Sequence, residues 1–244
     1  MPIRRTLASA AVCAALAGST ALLAGQPQLP YKPSPGIVLN TPPVGVIAFL
    51  TEWDKAPRVK LNVAPEQGKI VVVKFSDWEC PACKATSFAY KPTFDAYGAK
   101  VKYVERDFPL NAECNAHVGR TIPGHEASCL AAAAIRLTKT TAQRDALAKW
   151  LFDHQDSTPQ AVTEAALTAG GVANLNQLYP TVLPGIRKDV EEGNALGVDS
   201  TPGYFINGVL VVGFTDGKLA PHYLLQPDLF DMAIQHELKK AGIK

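Results

Sequence analysis

The chain has 244 residues, of which 47% are hydrophobic and 19% charged, and its formal net charge is +2. This composition excludes a mostly disordered chain and a collagen-like one, and it supplies enough apolar material for the core of one large domain. The charge excess comes from Arg4 and Arg5 alone. No nucleic-acid partner is therefore expected, because such binding needs a basic surface.

The first 25 residues have the pattern of an export signal. Arg4 and Arg5 precede an uncharged stretch rich in Ala and Leu that runs from Thr6 to Ala24. A basic start, an apolar run and small residues at its end are typical of a secretory signal peptide. The alternative is an uncleaved membrane anchor, because about 20 apolar residues can span a bilayer. In either case we expect an exported, periplasmic protein.

Strand and helix signals alternate in the chain that follows. Residues 26–56 predict a Pro-rich extended tether with a short helix, and residues 59–63 alternate like an edge strand. Residues 70–75 form a β-branched run that is typical of a central strand buried on both faces. A helix should come next, kinked or ended early by Pro92, before a second strand at 101–105 completes a βαβ unit.

A helical block separates this unit from later strand signals. Residues 115–196 are mostly helical, with a strong helix former at 127–137 and a last helix from about 181 to 195. Asn207-Gly208 between two apolar runs is the strongest short signal for a β-hairpin. An amphipathic helix at 228–241 closes the chain. The layout predicts an α/β fold of the order βαβ, helical block, ββα.

Two cysteines three positions apart, Cys80 and Cys83, lie between the buried strand and its helix. Cys80 falls at the N-cap, and Pro81 takes the first helical position, where a missing N–H has no cost. The free N–H groups and partial positive charge of a helix N-terminus stabilise a thiolate. We predict that Cys80 is the exposed nucleophile and Cys83 the shielded resolving cysteine of a thiol–disulfide exchange site.

A zinc site is the alternative use of this pair. Cys114, His117, His125 and Cys129 supply further possible ligands, and Cys₃His is a known zinc set. Structural zinc sites usually lie in loops, however, and an exported protein meets oxidising conditions. We therefore expect no metal and no cofactor, and we expect the histidines to be surface or cap residues.

The strand, Trp-x-Cys-x-x-Cys motif, helix, strand, helical insert and late Thr-Pro before a hairpin resemble the thioredoxin fold. With its insert the chain is similar to DsbA-type exported oxidoreductases, and most similar to the thioredoxin-like domain associated with bacterial vitamin K epoxide reductase homologues. The likeness is carried by residues 73–83, 107–115, 197–202 and 229–234. It implies that residues 57–114 and 197–244 form a thioredoxin-fold domain and that residues 115–196 are a helical insertion.

The resemblance also implies roles for single residues. Cys80 and Cys83 match the redox pair, and Pro202 matches the cis-proline that faces the pair and lets the neighbouring backbone bind a substrate peptide. Thr201 is the position that tunes reactivity and partner release. Beside the pair, we expect Trp78 to form a wall of the peptide-binding surface.

Lys74 departs from the family pattern, because many thioredoxin-like proteins carry a buried acid six residues before the first redox cysteine. A cation near the pair would favour the thiolate and make the disulfide a stronger oxidant. The alternative is a lysine with a buried stem whose head reaches water or pairs with Glu105 or Asp107. Asp77 and Glu79 would shift the thiol pKa in the opposite direction.

Cys114 and Cys129 stand at the entry to the helical block. We expect a structural disulfide that pins the insertion to the second strand, with a chain-entropy contribution of about 3 kcal/mol for a loop of this size. The alternative is a second redox pair that relays electrons to or from Cys80.

These features predict an exported thiol-disulfide oxidoreductase that donates the Cys80–Cys83 disulfide to reduced or misfolded client proteins. A membrane quinone-linked partner, similar to vitamin K epoxide reductase or to DsbB, would reoxidise it. A thiol reductase or isomerase of the same fold is one alternative. A non-enzymatic zinc- or peptide-binding module is the other.

Overall fold

The structure is a computed structural model that describes residues 28–221 and 224–244. The export signal predicted at residues 1–25 lies outside these ranges. Within them, no helix is both long and apolar enough to cross a membrane.

A four-stranded sheet with the order β2-β1-β3-β4 forms the centre of the fold. The strands are β1 (Ile70–Ser76), β2 (Val101–Asp107), β3 (Gly203–Ile206) and β4 (Val209–Val211). β1 pairs with β2 in parallel and with β3 in antiparallel orientation. Six of the seven β1 residues are buried, because neighbouring strands cover both of its edges and helices cover both of its faces. The predicted α/β class with a βαβ…ββα order is confirmed.

The helix after β1 is divided at Tyr90. α2 spans Pro81–Ala89 and α3 spans Lys91–Tyr97. Pro92 lies in the first turn of α3, where its missing N–H breaks no helical bond. The interruption expected at Pro92 is therefore present.

The segment between β2 and β3 contains four helices, which are α4 (Ser128–Leu137), α5 (Thr141–Asp153), α6 (Pro159–Thr168) and α7 (Leu175–Ala195). α7 begins about six residues earlier than expected, and it contains Pro180 and Pro184. Each proline removes an intrahelical hydrogen bond. Burial of Leu175 and Ile186 outweighs this cost, because tertiary packing supplies most of the stability of a helix.

The N-terminal stretch 28–42 has no helix or strand, yet it is anchored to the C-terminal helix. α1 (Pro43–Lys55) follows this stretch and packs against α8 (Pro227–Lys240), the C-terminal helix. Ser34 is 4% exposed and donates two hydrogen bonds to the buried Asp231 carboxylate, from its backbone N at 2.9 Å and from Oγ at 2.6 Å. A buried carboxylate needs such donors, so this stretch is docked rather than a free tether.

The edge strand predicted at 59–63 is wrong. The backbone there makes no ladder, and only the neighbouring Arg58 forms an isolated bridge with Val209. Val59, Leu61 and Val63 still pack partly buried against the sheet. Their alternation therefore reflects burial of every second side chain, which a strand-like segment can achieve without pairing.

Two hairpins follow the cis-proline region. Asn207 and Gly208 connect β3 to β4 with φ values of 46° and 85°, which confirms the predicted Asn-Gly turn. A second hairpin, β5 (Gly213–Thr215) with β6 (Lys218–Ala220), was not expected. Its turn is Asp216-Gly217, whose φ values are also positive, and Asp-Gly is a favoured pair for this turn.

Candidate active site

Cys80 and Cys83 lie at the start of α2, directly after the buried strand β1. Cys80 is the N-cap residue with φ −78° and ψ 118°, and Pro81 is the first helical residue. Both thiols are free. Cys83 is fully buried, and Cys80 is only 6% exposed. The exposure expected for Cys80 is therefore not observed, because the helical insertion and the loop before β3 enclose the sulfur.

The two thiols differ sharply in acidity. A hydrogen bond from the Cys83 thiol lowers the pKa of Cys80 to about 6 against the opposing effect of burial, with further contributions from the Thr201 side chain and the Cys83 backbone N–H. Burial and the neighbouring Cys80 sulfur raise the pKa of Cys83 well above its ordinary value. At neutral pH one thiolate and one thiol therefore coexist, which suits a nucleophile with a resolving partner.

The loop before β3 meets the redox pair across the sheet. The peptide bond between Thr201 and Pro202 is cis. The Cys80 thiol donates to the Thr201 carbonyl oxygen at 3.3 Å. Thr201 is 9% exposed, and its side chain helps to lower the pKa of Cys80.

A groove of about 350 Å³ opens beside this loop. Its walls are residues 197–203, Ala82 at the start of α2, Leu210 and Val211 of β4, and Leu224. Leu224 is 47% exposed. The groove combines apolar side chains with the polar backbone of an irregular loop, so it can accept an extended peptide close to Cys80.

Lys74 is 1% exposed and lies on β1. Its Nζ donates to Ser87 Oγ at 3.0 Å and pairs with Glu105 Oε1 at 3.4 Å. The Nζ also lies 5.7 Å from the ring centre of Phe152. Pairing with Glu105 is one of the two alternatives considered from the sequence. The positive charge of Lys74 does favour ionisation of a thiol, but that thiol is Cys83. Burial raises the pKa of Cys83, and the charge of Lys74 opposes this rise.

Trp78 does not line an open surface as expected. It is 3% exposed and packs in the core of the insertion, with its ring centre 5.0 Å from that of Phe152. The Arg144 guanidinium lies 5.8 Å from the Trp78 ring centre. Trp78 therefore joins the loop before α2 to α5, a contact with a distant segment that sequence spacing does not reveal.

Asp77 is the hub of a buried polar network beside the redox pair. It is 1% exposed. Its Oδ1 accepts hydrogen bonds from Ser128 Oγ and from the Glu79 backbone N, both at 2.8 Å. Its Oδ2 accepts from the Leu110 backbone N at 2.7 Å and lies 2.8 Å from His125 Nδ1.

Glu79 belongs to the same network. It is 2% exposed, and its Oε2 accepts from the Ala127 backbone N at 2.9 Å and lies 3.1 Å from Ser128 Oγ. Burial raises the pKa of Glu79 to about 7, an effect that the contact with Ser128 reduces and the charge of Asp77 increases.

Sequence reasoning missed the roles of His125 and Ser128 in this network. His125 is 7% exposed, so it is not a surface residue as expected. Burial lowers the pKa of His125, but the hydrogen bond and charge of Asp77 outweigh burial and raise it above the ordinary value. The only available signal was the position of both residues just before Cys129, which a disulfide can bring near the redox loop.

Cys114 and Cys129 form a disulfide with a Cα–Cα distance of 5.9 Å. Both residues are almost fully buried. The disulfide joins the segment after β2 to the first turn of α4, which carries Ser128. Because these two sulfurs are bonded to each other, they do not serve as thiolate ligands of a zinc ion together with Cys80 and Cys83.

The βαβ…ββα sheet, the Cys-x-x-Cys pair at the start of α2 and the facing Thr-Pro loop define a thioredoxin-type domain. A family model described as thioredoxin matches residues 65–221, and the chain belongs to this family. The matched range includes the whole helical insertion together with the redox pair.

Curated relatives share only part of their length with this chain. It is 26% identical over 147 residues to the Na(+)/H(+) antiporter NhaA 1 of Mycolicibacterium vanbaalenii, which covers 57% of this chain and 22% of that protein. For the protein of the same name from Mycobacterium sp. strain KMS, the identity is 28%, and the match covers 65% of this chain and 27% of that protein. The chain thus spans about a quarter of the curated relatives that it matches.

Solved structures share the fold at low sequence identity. Oxidised BdbD from Bacillus subtilis superposes with a TM-score of 0.54 and 18% identity, covering 75% of this chain and 97% of that one. The catalytic domain of Proteus mirabilis ScsC gives a TM-score of 0.53 and 19% identity, and the match covers 80% of this chain and 98% of that one. The chain therefore shares its overall fold with both of these structures.

Proposed function

We propose that this protein is an exported thiol-disulfide oxidoreductase that donates the Cys80–Cys83 disulfide to reduced client proteins. The observation that carries the proposal is the contrast between the two thiols, with the pKa of Cys80 lowered to about 6 and that of Cys83 raised. A low thiol pKa stabilises the reduced pair and makes its disulfide a stronger oxidant.

The exchange starts from the oxidised pair. A client thiolate attacks Cys80 Sγ, the Cys80–Cys83 bond breaks, and Cys83 leaves with the electron pair and takes up a proton. A second client thiolate then attacks the client sulfur of the mixed disulfide. Cys80 leaves as a thiolate, and its low pKa makes it a good leaving group. The client gains a disulfide, and the protein ends with a Cys80 thiolate, a Cys83 thiol and two more electrons.

The groove beside Thr201 and Pro202 would hold the client. An extended peptide lying along residues 197–203 meets backbone polar groups, and Leu210 and Leu224 offer apolar contacts. Such a site binds main chain more than particular side chains, as a donor with varied clients needs.

The reduced protein must be reoxidised for turnover. We propose that a membrane quinone-linked protein, similar to vitamin K epoxide reductase or to DsbB, accepts its electrons in the periplasm. The resemblance noted in the sequence supports this partner. A reductase with the same site would instead need a supply of electrons.

The equilibrium redox potential tests the direction of exchange. The Cys80–Cys83 couple is titrated against glutathione, with Cys114 and Cys129 left in place and followed by mass. A potential near the value of about −120 mV found for DsbA supports a disulfide donor, and one near the value of about −270 mV found for thioredoxin supports a reductase. Oxidation of a reduced client by the wild type but not by Cys80→Ser is also expected, and transfer that persists in Cys80→Ser contradicts the mechanism.

A further inference from the structure

The hydrogen bonds of the buried network beside the redox pair require one hydrogen more than Ser128 alone can supply. Ser128 Oγ lies 2.8 Å from Asp77 Oδ1 and 3.1 Å from Glu79 Oε2. A hydroxyl has one hydrogen to donate. If Ser128 donates to Asp77, the contact with Glu79 needs a hydrogen from the Glu79 carboxyl group.

The other oxygen of Glu79 leads to the same conclusion. Among the described residues, Glu79 Oε1 has no hydrogen-bond partner although it is buried. A buried oxygen of an ionised carboxylate is costly when no donor reaches it, whereas the carbonyl oxygen of a neutral carboxyl group loses much less. Protonation of Glu79 therefore completes the chain of hydrogen bonds from Glu79 through Ser128 to Asp77.

This network borders the sulfurs that change oxidation state. Glu79 directly precedes Cys80 in the chain, and the Asp77 backbone N donates to Cys83 Sγ at 3.5 Å. The charge of a Cys80 thiolate contributes to the raised pKa of His125, so that charge is felt inside the network.

The charged groups around Glu79 come from three elements. Asp77 and Cys80 lie on its own segment, and His125 lies on the segment before α4. Lys74 of β1 acts on Cys83 from the other side of the pair. Of these groups, Asp77 opposes ionisation of Glu79 and His125 favours it. A negative charge on the adjacent Cys80 would add to the effect of Asp77.

We propose that Glu79 takes up a proton when the Cys80–Cys83 disulfide is reduced, so that negative charge moves from the Glu79 carboxylate to Cys80 Sγ. This inference rests on the proposed exchange chemistry. A client dithiol supplies two electrons and two protons; one proton goes to Cys83 and the other to Glu79. The oxidised site carries its charge on Glu79 and the reduced site on Cys80, so the total charge is unchanged.

The Cys114–Cys129 disulfide holds the proton site together. Ser128 and His125 lie one and four residues before Cys129, and the disulfide ties this turn to the segment after β2. The disulfide thereby holds the His125 ring and the Ser128 hydroxyl within hydrogen-bond distance of the Asp77 and Glu79 carboxyl groups. Glu79 is the proton-exchanging residue, and Ser128 is a positioning residue that acts through it.

The test is a reduced-minus-oxidised infrared difference spectrum at neutral pH, with dithiothreitol as the reductant. We expect a protonated-carboxyl band to appear on reduction of the wild type and to be missing in Glu79→Gln. Glu126→Gln is the matched control, because Glu126 is exposed on the neighbouring segment before α4 and its removal changes the charge of the protein by the same amount. The band should persist in that variant.

A proton count provides the second measurement. From the pH dependence of the redox potential near neutrality, the wild type should take up more protons per two electrons than Glu79→Gln, by a difference approaching one. If Glu79→Gln fails to fold, Ser128→Ala replaces it, and its band should shift in frequency because the carboxyl group has lost its partner.

Two results overturn the inference. One is the absence of a new carboxyl band when the wild type is reduced, and the other is a band that survives unchanged in Glu79→Gln. Asp107, whose pKa burial raises to about 7, could produce the surviving band. Because the reductant is chemical, these outcomes are independent of client oxidation, and a failure of the proposed function would appear separately in the client assay.

Discussion

The carbonyl oxygen of Thr201 accepts a hydrogen bond from the Cys80 thiol at 3.3 Å, although 121 residues separate the two in sequence. β1 and β3 are hydrogen-bonded neighbours, and their ends place the redox pair and the loop before β3 side by side. The groove along residues 197–203 therefore lies next to Cys80. Under the proposed function, this contact places the client-binding groove beside the reacting sulfur.

The reactivity of Cys80 should follow the pKa lowered to about 6. In the reduced protein, the iodoacetamide reaction rate should rise with a midpoint near that pH, and Cys83 should stay unmodified because it is buried. Cys83→Ser should move the midpoint upward, because a sulfur donor next to Cys80 is lost. A wild-type midpoint near the ordinary cysteine value of about 8.5 would contradict this assignment.

The same pKa shift makes the reduced form more stable as pH rises. A group with a folded pKa below its unfolded value contributes stability above the unfolded pKa and loses it as pH falls through the folded one. For Cys80 the pKa is about 6 in the folded protein and 9.0 as the reference for the unfolded chain. Between pH 5 and pH 7, the unfolding free energy of the reduced wild type should therefore rise by roughly 1.4 kcal/mol more than that of reduced Cys80→Ser. Urea unfolding at both pH values measures this difference, and equal gains in the two proteins would refute it.

Lys74 should speed the resolution of mixed disulfides. Its charge lowers the pKa of Cys83, so Lys74→Met should leave less Cys83 thiolate to attack a Cys80–glutathione disulfide. Each pKa unit should slow resolution by roughly threefold, because higher nucleophilicity offsets part of the loss of thiolate. Mass spectrometry of the mixed disulfide measures its lifetime.

Lys91→Met is the control for this variant. Lys91 pairs with Asp95 in an exposed position, and its loss should leave the lifetime unchanged. If the mixed disulfide is equally short-lived in Lys74→Met and in the wild type, Lys74 has no such role.

Loss of the Cys114–Cys129 disulfide should destabilise the fold. Its closed loop gives about 3 kcal/mol by chain entropy, so Cys114→Ala/Cys129→Ala should lower the unfolding free energy by about this amount in denaturant titrations. Cys80→Ala/Cys83→Ala is the control that keeps the disulfide. If the variant lacking Cys114 and Cys129 also oxidises clients at the wild-type rate, these cysteines are structural; a loss of transfer without a loss of stability would favour an electron relay.

The docked N-terminal stretch should depend on Asp231. Asp231→Asn replaces one of the two acceptors of Ser34 with an amide donor, which leaves a buried donor unpaired at a cost of roughly 2 kcal/mol. We expect a lower unfolding free energy and faster proteolysis within residues 28–42. Asp95→Asn on exposed α3 is the control, and equal cleavage in both variants would show that Asp231 does not hold the stretch.

Local sequence patterns were sufficient for much of the fold. The β-branched run at β1, the helix starting at Pro81 and the Asn207-Gly208 hairpin each depend on neighbouring residues alone. Periodicity was less reliable where burial and pairing differ, as at residues 59–63, which alternate without forming a strand. The early start of α7 was missed because the first turn depends on the burial of Leu175, which local sequence signals do not reveal.

The sequence by itself determined where the cysteine pair of this protein lies, because Cys80, Pro81 and Cys83 need only the first turn of the helix after a buried strand to come together. Only the tertiary structure decided which groups surround that pair. Trp78 is buried, and His125 and Ser128, beside the Cys114–Cys129 disulfide, contact Asp77 and Glu79 from 48 to 51 positions away. Thiol acidity and proton transfer depend on distance and burial in space, and neither can be derived from spacing along the chain.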